Sequence, residues 1–103
     1  MKLIERLSDF IEDEIDGARC YAKMALEYKE SKPELARIMS NLSAAELQHV
    51  SDIHAIVLEE IDAYRREHGE PPVDMLAIYN YIHEKHVNKV ADVRVMLNTY
   101  KLG

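Results

Sequence analysis

Residues that break helices are confined to two short stretches of this chain. In the first, residues 31–34, Pro33 suits the first turn of a helix because its missing N–H would have no partner there. In the second, residues 68–74, Gly69 suits the position just after a helix end, and Asp74 is expected to cap the next helix. One domain, residues 1–103, is therefore predicted to contain three helices, at about residues 2–30, 33–68 and 74–101.

Each predicted helix carries a stripe of mainly apolar residues spaced by three or four positions, as in helical bundles. The first stripe is Leu3, Leu7, Phe10, Glu14, Gly17, Tyr21, Met24 and Tyr28. The second is Leu35, Met39, Leu42, Glu46, His49, Ile53, Ile56 and Glu60. The third is Met75, Tyr79, Ile82, His86, Val90, Val93, Leu97 and Tyr100. With short loops between them, these helices predict an all-α fold: a long antiparallel helical hairpin plus a third helix.

Composition narrows the function classes. The net charge of −6 disfavours binding to phosphate, and so to nucleic acid. The single cysteine, Cys20, excludes an internal disulfide framework and any multi-cysteine metal centre. No apolar run approaches the roughly 20 residues that a membrane span needs. We therefore expect a cytoplasmic protein that binds neither nucleic acid nor membrane.

Polar residues interrupt the first two stripes at one level of the predicted hairpin. Glu14 lies 17 residues before Ser31, and Glu46 and His49 lie 13 and 16 residues after Pro33. The spacing of three puts Glu46 and His49 on one helix face, and the antiparallel hairpin brings Glu14 level with them. A buried carboxylate without a partner is costly, so this position needs an explanation. Two carboxylates and an imidazole suit iron, manganese or zinc.

Plainer explanations exist for each residue taken alone. Glu14 could form a salt bridge with a lysine or arginine of the second helix. The Glu-x-x-His spacing of Glu46 and His49 arises often by chance in acidic helices. The agreement of stripe position, hairpin level and spacing favours a shared metal site.

These residues resemble half of the di-iron site of the ferritin-like superfamily. The resemblance covers roughly residues 3–65 and consists of Glu14, Tyr21 seven residues later, and Glu46-Leu47-Gln48-His49. It implies that Glu14 is a terminal metal ligand, that Glu46 bridges two metals and that His49 caps one of them. Tyr21 would lie near the site and hydrogen-bond to a ligand carboxylate.

This chain differs from full-length ferritins and rubrerythrins, which carry both sets of metal ligands in one chain, and the differences indicate a particular branch of that superfamily. The chain has neither a second Glu-x-x-His after His49 nor the cysteine pairs of rubrerythrin. It is therefore most similar to the short encapsulated ferritins and rubrerythrin-like half-ferritins. That resemblance implies a four-helix bundle completed by dimerisation, with two iron ions per dimer. Manganese and zinc remain alternative metals.

The same resemblance implies a function and partners. The function would be Fe(II) oxidation, a ferroxidase activity linked to iron storage or detoxification. The partners would be a second copy in a homodimer or larger homo-oligomer, and an encapsulating shell protein. The alternative is a metal-free helical interaction module that retains the hairpin and uses its third helix to bind a partner.

A second group of potential ligands, His83, Glu84 and His86, lies in the third helix. Counting from the second loop places His86 opposite the region of residues 56–60. A hydrogen-bonded pair of Glu60 and His86 is therefore favoured over an auxiliary metal site.

Overall fold

Three helices account for most of residues 2–102. A computed structural model describes residues 2–102; the ends of the predicted domain, Met1 and Gly103, lie outside them. The helices are α1, Lys2–Tyr28; α2, Pro33–His68; and α3, Val73–Leu102. Each begins and ends within two residues of its predicted bounds, and no strand occurs in residues 2–102, so the all-α prediction is confirmed. None of the described helices is long and apolar enough to cross a membrane.

The two predicted breaks lie where the helices end. Pro33 is in the first turn of α2. Gly69 has a positive φ of 79°, a conformation that costs glycine little, and its N–H donates to the Arg65 carbonyl at 3.0 Å. Asp74 does not precede α3 as expected, because the helix already begins at Val73. Its carboxylate instead accepts a hydrogen bond from the Met75 N–H at 3.0 Å, within the first turn.

Small residues form the seam between α1 and α2. The Ser43 hydroxyl donates to the Ala18 carbonyl at 2.7 Å across the two buried backbones. Small side chains let helix backbones approach closely, and this hydrogen bond fixes their register. The buried small residues of the hairpin are Ser8, Ala18, Ala22 and Ala25 in α1 and Ala36, Ser40 and Ser43 in α2.

The core corrects the predicted stripes of α1 and α2. The buried larger residues of α1, Ile11 and Ile15, each lie one position after a stripe residue, which is about 100° around the helix. Phe10, a stripe residue, is half exposed. The stripes followed bulky side chains, whereas the core follows the alanines and serines of the seam. The stripe of α3 does lie towards the core, because His86, Val93 and Leu97 are buried.

The third helix packs mainly on α1 and makes few backbone approaches to α2. The three long helices form a rod 56 Å long. Glu12 of α1 contacts α3 through His86 and Lys89. Since residues are about 100° apart around a helix, Glu14 points roughly 160° away from Glu12. The stripes of α1 and α2 therefore lie on the side of the hairpin that α3 leaves uncovered.

Candidate metal centre

Glu14, Glu46 and His49 converge near the middle of the hairpin, and we call them the Glu–Glu–His cluster. His49 Nδ1 lies 3.4 Å from Glu14 Oε2 and 3.8 Å from Glu46 Oε2. One ligand atom from each residue lies within 4.8 Å of the other two. An ion about 2.0–2.2 Å from each ligand holds neighbouring ligand atoms about 3–4 Å apart. The cluster therefore needs only small side-chain adjustments to hold one ion.

The backbone explains this convergence. Glu46 and His49 are one turn apart on α2, so their side chains share a face. The Ser43–Ala18 hydrogen bond, one turn from Glu46, fixes the register that sets Glu14 beside them. The structure thus brings together the three residues that the sequence predicts as ligands.

The cluster is less buried than the stripe pattern predicts. The side chains of Glu14, Glu46 and His49 are 31%, 24% and 53% exposed. Both carboxylates therefore keep contact with water in the single chain. The predicted penalty for a fully buried charge does not apply here, and it would arise only if another surface covered the cluster.

The salt bridge suggested between Glu14 and a lysine or arginine of α2 does not form within residues 2–102. The Glu14 carboxylate instead contacts the His49 imidazole. Imidazole is itself a metal ligand, so this contact leaves the cluster competent to bind a metal.

Gly17 and Tyr21 lie beside the cluster on α1. A Cβ atom at Gly17 would stand 3.9 Å from Glu46 Oε2, an ordinary contact distance, so the nearest neighbour is a carboxylate and not another backbone. Tyr21 is half-buried. Among the described residues, no hydrogen bond joins its hydroxyl to the three cluster residues, so its expected role near the site stays a prediction.

Large apolar side chains surround the cluster on the uncovered side of the hairpin. Patches of exposed apolar surface commonly mark binding sites for other proteins. We call this surface, with the Glu–Glu–His cluster at its middle, the open face. Its exposed apolar residues are Leu3, Phe10, Ile38, Leu42 and Ile56.

The predicted pair of Glu60 and His86 is wrong. His86 Nε2 lies 2.9 Å from Glu12 Oε2, and Lys89 pairs with the same carboxylate. No sequence pattern points to Glu12, since this residue lies off the stripe and its contact depends on the side of the hairpin that α3 occupies. His83 stacks on His54 of α2, with ring centroids 4.5 Å apart and an interplanar angle of 9°.

These contacts predict that acid weakens the fold. Burial lowers the pKa of His86, although the Glu12 carboxylate opposes this shift. The pKa of His54 is lowered by burial and by the neighbouring imidazoles of His83 and His86. The hydrogen bond from Lys89 lowers the pKa of Glu12. A histidine with a lowered pKa takes up its proton more readily in the unfolded chain. Its contribution to stability is therefore complete above about pH 6.5 and is lost as the pH falls through its folded-state pKa.

We expect the melting temperature in EDTA to be constant between pH 8 and 7 and to fall between pH 6.5 and 5. Circular dichroism melts measure this directly. In His54→Gln the fall in melting temperature should be smaller, because one of the two histidines with a lowered pKa is removed. A melting temperature that stays level down to pH 5 would contradict the burial of these imidazoles. Protonation of Glu12 should lower the melting temperature further, but only below about pH 4.5, because the pKa of this carboxyl is lowered in the folded chain.

Comparison with known proteins found no family model, no curated protein and no solved structure that matches this chain.

Proposed function

We propose that this chain is a ferritin-like iron-binding protein that oxidises Fe(II) at a two-iron site shared by two copies. The observation that carries this function is the convergence of Glu14, Glu46 and His49, within 4.8 Å, at the middle of an apolar and uncovered surface. In the single chain the cluster supplies three ligands and is open on one side. A second copy docked by a two-fold axis would bring the same three ligands to that side.

Charge balance supports a shared site. Two chains would bring together four carboxylates with a charge of −4, two from each Glu–Glu–His cluster. Two divalent ions contribute +4 and neutral imidazoles contribute nothing, so the loaded site is electrically balanced. Without metal, the same four carboxylates would repel each other once the open faces came together. Metal binding and dimerisation are therefore expected to favour each other.

The donor set also supports iron oxidation. Carboxylate oxygens favour the harder ion Fe(III) over Fe(II), and imidazole accepts either ion. Two ions held about 3.5–4 Å apart, with open coordination positions, would each give up one electron to O₂ or peroxide. We place this activity in the cytoplasm, where a larger homo-oligomer or a shell protein would hold the oxidised iron. Manganese and zinc are the alternative metals for the site.

An anaerobic Fe(II) titration followed by exposure to O₂ tests this function. We expect about one iron per chain, two per dimer, and a transient visible absorption band after O₂ is added. Sedimentation equilibrium with and without Fe(II) should show tighter dimerisation in the presence of iron. Parallel titrations with Mn²⁺ and Zn²⁺ rank the metals. Negligible iron per chain, unchanged in Glu14→Ala, would instead favour the metal-free interaction module.

A further inference from the structure

A cavity of about 430 Å³ lies between α2 and α3. It exists because α3 packs on α1 and barely touches α2. Three imidazoles line it: His54 from α2, and His83 and His86 from α3. His54 follows His49 by five residues, which turns it about 140° around α2. The cavity is therefore separate from the open face and its Glu–Glu–His cluster.

The contact of His86 with Glu12 prepares this histidine to bind a metal. The side chain of His86 is 9% exposed, and its Nε2 lies 2.9 Å from the Glu12 carboxylate, within hydrogen-bond distance. A neutral imidazole that donates from Nε2 keeps its lone pair on Nδ1. Metal-binding histidines commonly donate their second ring N–H to a carboxylate in this way, which fixes the tautomer and the orientation of the ring.

His83 and His54 supply two more imidazoles from facing helices. His83 is three residues before His86, so both lie on one side of α3. Its ring lies face to face with that of His54, with centroids 4.5 Å apart. All three rings line the same cavity, and a shared ion requires the stacked rings to rotate so that their nitrogens turn towards His86.

We propose that His54, His83 and His86 form a second metal site that takes one Zn²⁺ ion per chain, with water as the fourth ligand. Three nitrogen ligands and a water give the tetrahedral geometry that zinc prefers. This donor set differs from the carboxylate-rich cluster on the open face, so the two sites should differ in metal preference.

The charges around the cavity are compatible with a bound cation. Lys89 is paired with Glu12, which also carries the hydrogen bond from His86. Arg94 lines the other end of the cavity. It lies eight residues from His86, about 12 Å along α3. The Glu12 carboxylate, which lies 2.9 Å from His86 Nε2, would offset part of the charge of the ion.

A bound ion would join α2 to α3 where direct packing is thin. Because the ligands come from both helices, the folded chain would bind Zn²⁺ and the unfolded chain would not hold this arrangement. Binding to the folded state alone raises stability by mass action. Zinc should therefore raise the melting temperature of the chain, and this rise should disappear when the imidazoles are removed.

Calorimetric titration with ZnCl₂ at pH 7.5 tests the site. The parent protein should be the full chain with Glu14→Ala and His49→Ala, which disables the Glu–Glu–His cluster and separates this result from the proposed iron oxidation. We expect one Zn²⁺ per chain and a zinc-dependent rise in melting temperature. Adding His83→Ala or His54→Ala should weaken binding at least about tenfold, and adding Glu12→Gln by about 10–100-fold.

His68→Ala is the matched control, because His68 is an exposed histidine at the end of α2. It should leave the affinity unchanged. Circular dichroism in EDTA establishes that each variant is folded. If another variant fails to fold, His54→Ala still tests the site, because His54 is only half-buried. A Co²⁺ titration of the same parent should give the absorption bands of a tetrahedral ion. Equal zinc affinity in the parent, His54→Ala and His83→Ala would overturn the site, as would loss of binding in His68→Ala or no binding in the parent.

Discussion

Glu46→Ala is expected to abolish the loading of one iron per chain and to reduce Fe(II) oxidation to the rate of free iron in the same buffer. Glu46 Oε2 lies 3.8 Å from His49 Nδ1, and in the proposed shared site this carboxylate would be a metal ligand. Its removal leaves one carboxylate and one imidazole per chain. We expect iron affinity to fall at least about 100-fold, which corresponds to about 2.7 kcal/mol. Anaerobic Fe(II) binding and stopped-flow absorbance after O₂ addition measure the two effects.

Glu59→Ala provides the matched control for this variant. Glu59 is an exposed glutamate of the same helix, so its replacement changes net charge and helix propensity equally. It should load and oxidise iron as the unchanged chain does. The metal-free melting temperature of Glu46→Ala should not fall, because a half-buried carboxylate next to Glu14 is removed. Iron binding that is the same in Glu46→Ala and Glu59→Ala would remove the cluster from the iron chemistry.

Much of the candidate site could be predicted because it depends on local geometry. Pro33 marks where α2 begins, and α2 then carries Glu46 and His49 to a fixed height at about 1.5 Å per residue. The short loop makes α1 antiparallel, so counting back to Glu14 gives the same height. These quantities are properties of single helices and one tight connection. The Ser43–Ala18 hydrogen bond then holds the hairpin at the register that this counting predicts.

The depth of the site and the position of α3 could not be predicted in the same way. A stripe of bulky residues and a seam of alanines were both available on α1, and hydrophobic periodicity favoured the bulky one. The seam forms the contact between α1 and α2 because Ala18 and Ser43 let the two helices approach closely. The Ser43 hydroxyl then donates a hydrogen bond to the Ala18 carbonyl. The contact of His86 with Glu12 depends on the side of the hairpin on which α3 packs. That choice is set by packing of whole helices, which the spacing of residues within one helix does not encode.

The exposed apolar residues of the open face give the second large prediction. Ile56→Asp is expected to weaken dimerisation at least about 100-fold, since a two-fold interface would bury the introduced charge twice. Ile56 is 45% exposed in the single chain, so its replacement should change the free energy of unfolding of the monomer by only about 0.5 kcal/mol. Sedimentation equilibrium with and without Fe(II) measures the association, and circular dichroism measures the stability.

Leu58→Asp is the control, because Leu58 is 47% exposed on the same helix. It points about 160° away from Ile56 around α2, off the open face. Equal loss of dimer in both variants, or in neither, would contradict docking through the open face.

Iron loading separates an interface residue from a ligand. Ile56→Asp keeps Glu14, Glu46 and His49, so it retains every proposed ligand of the site. If two copies must meet to complete the site, its iron loading should be low in dilute protein and should recover as the protein concentration rises, by mass action. Glu46→Ala should not recover at any concentration, because its dimer would still lack two of the four proposed ligand carboxylates. Iron loading of Ile56→Asp that does not depend on concentration would mean that one chain binds its iron alone.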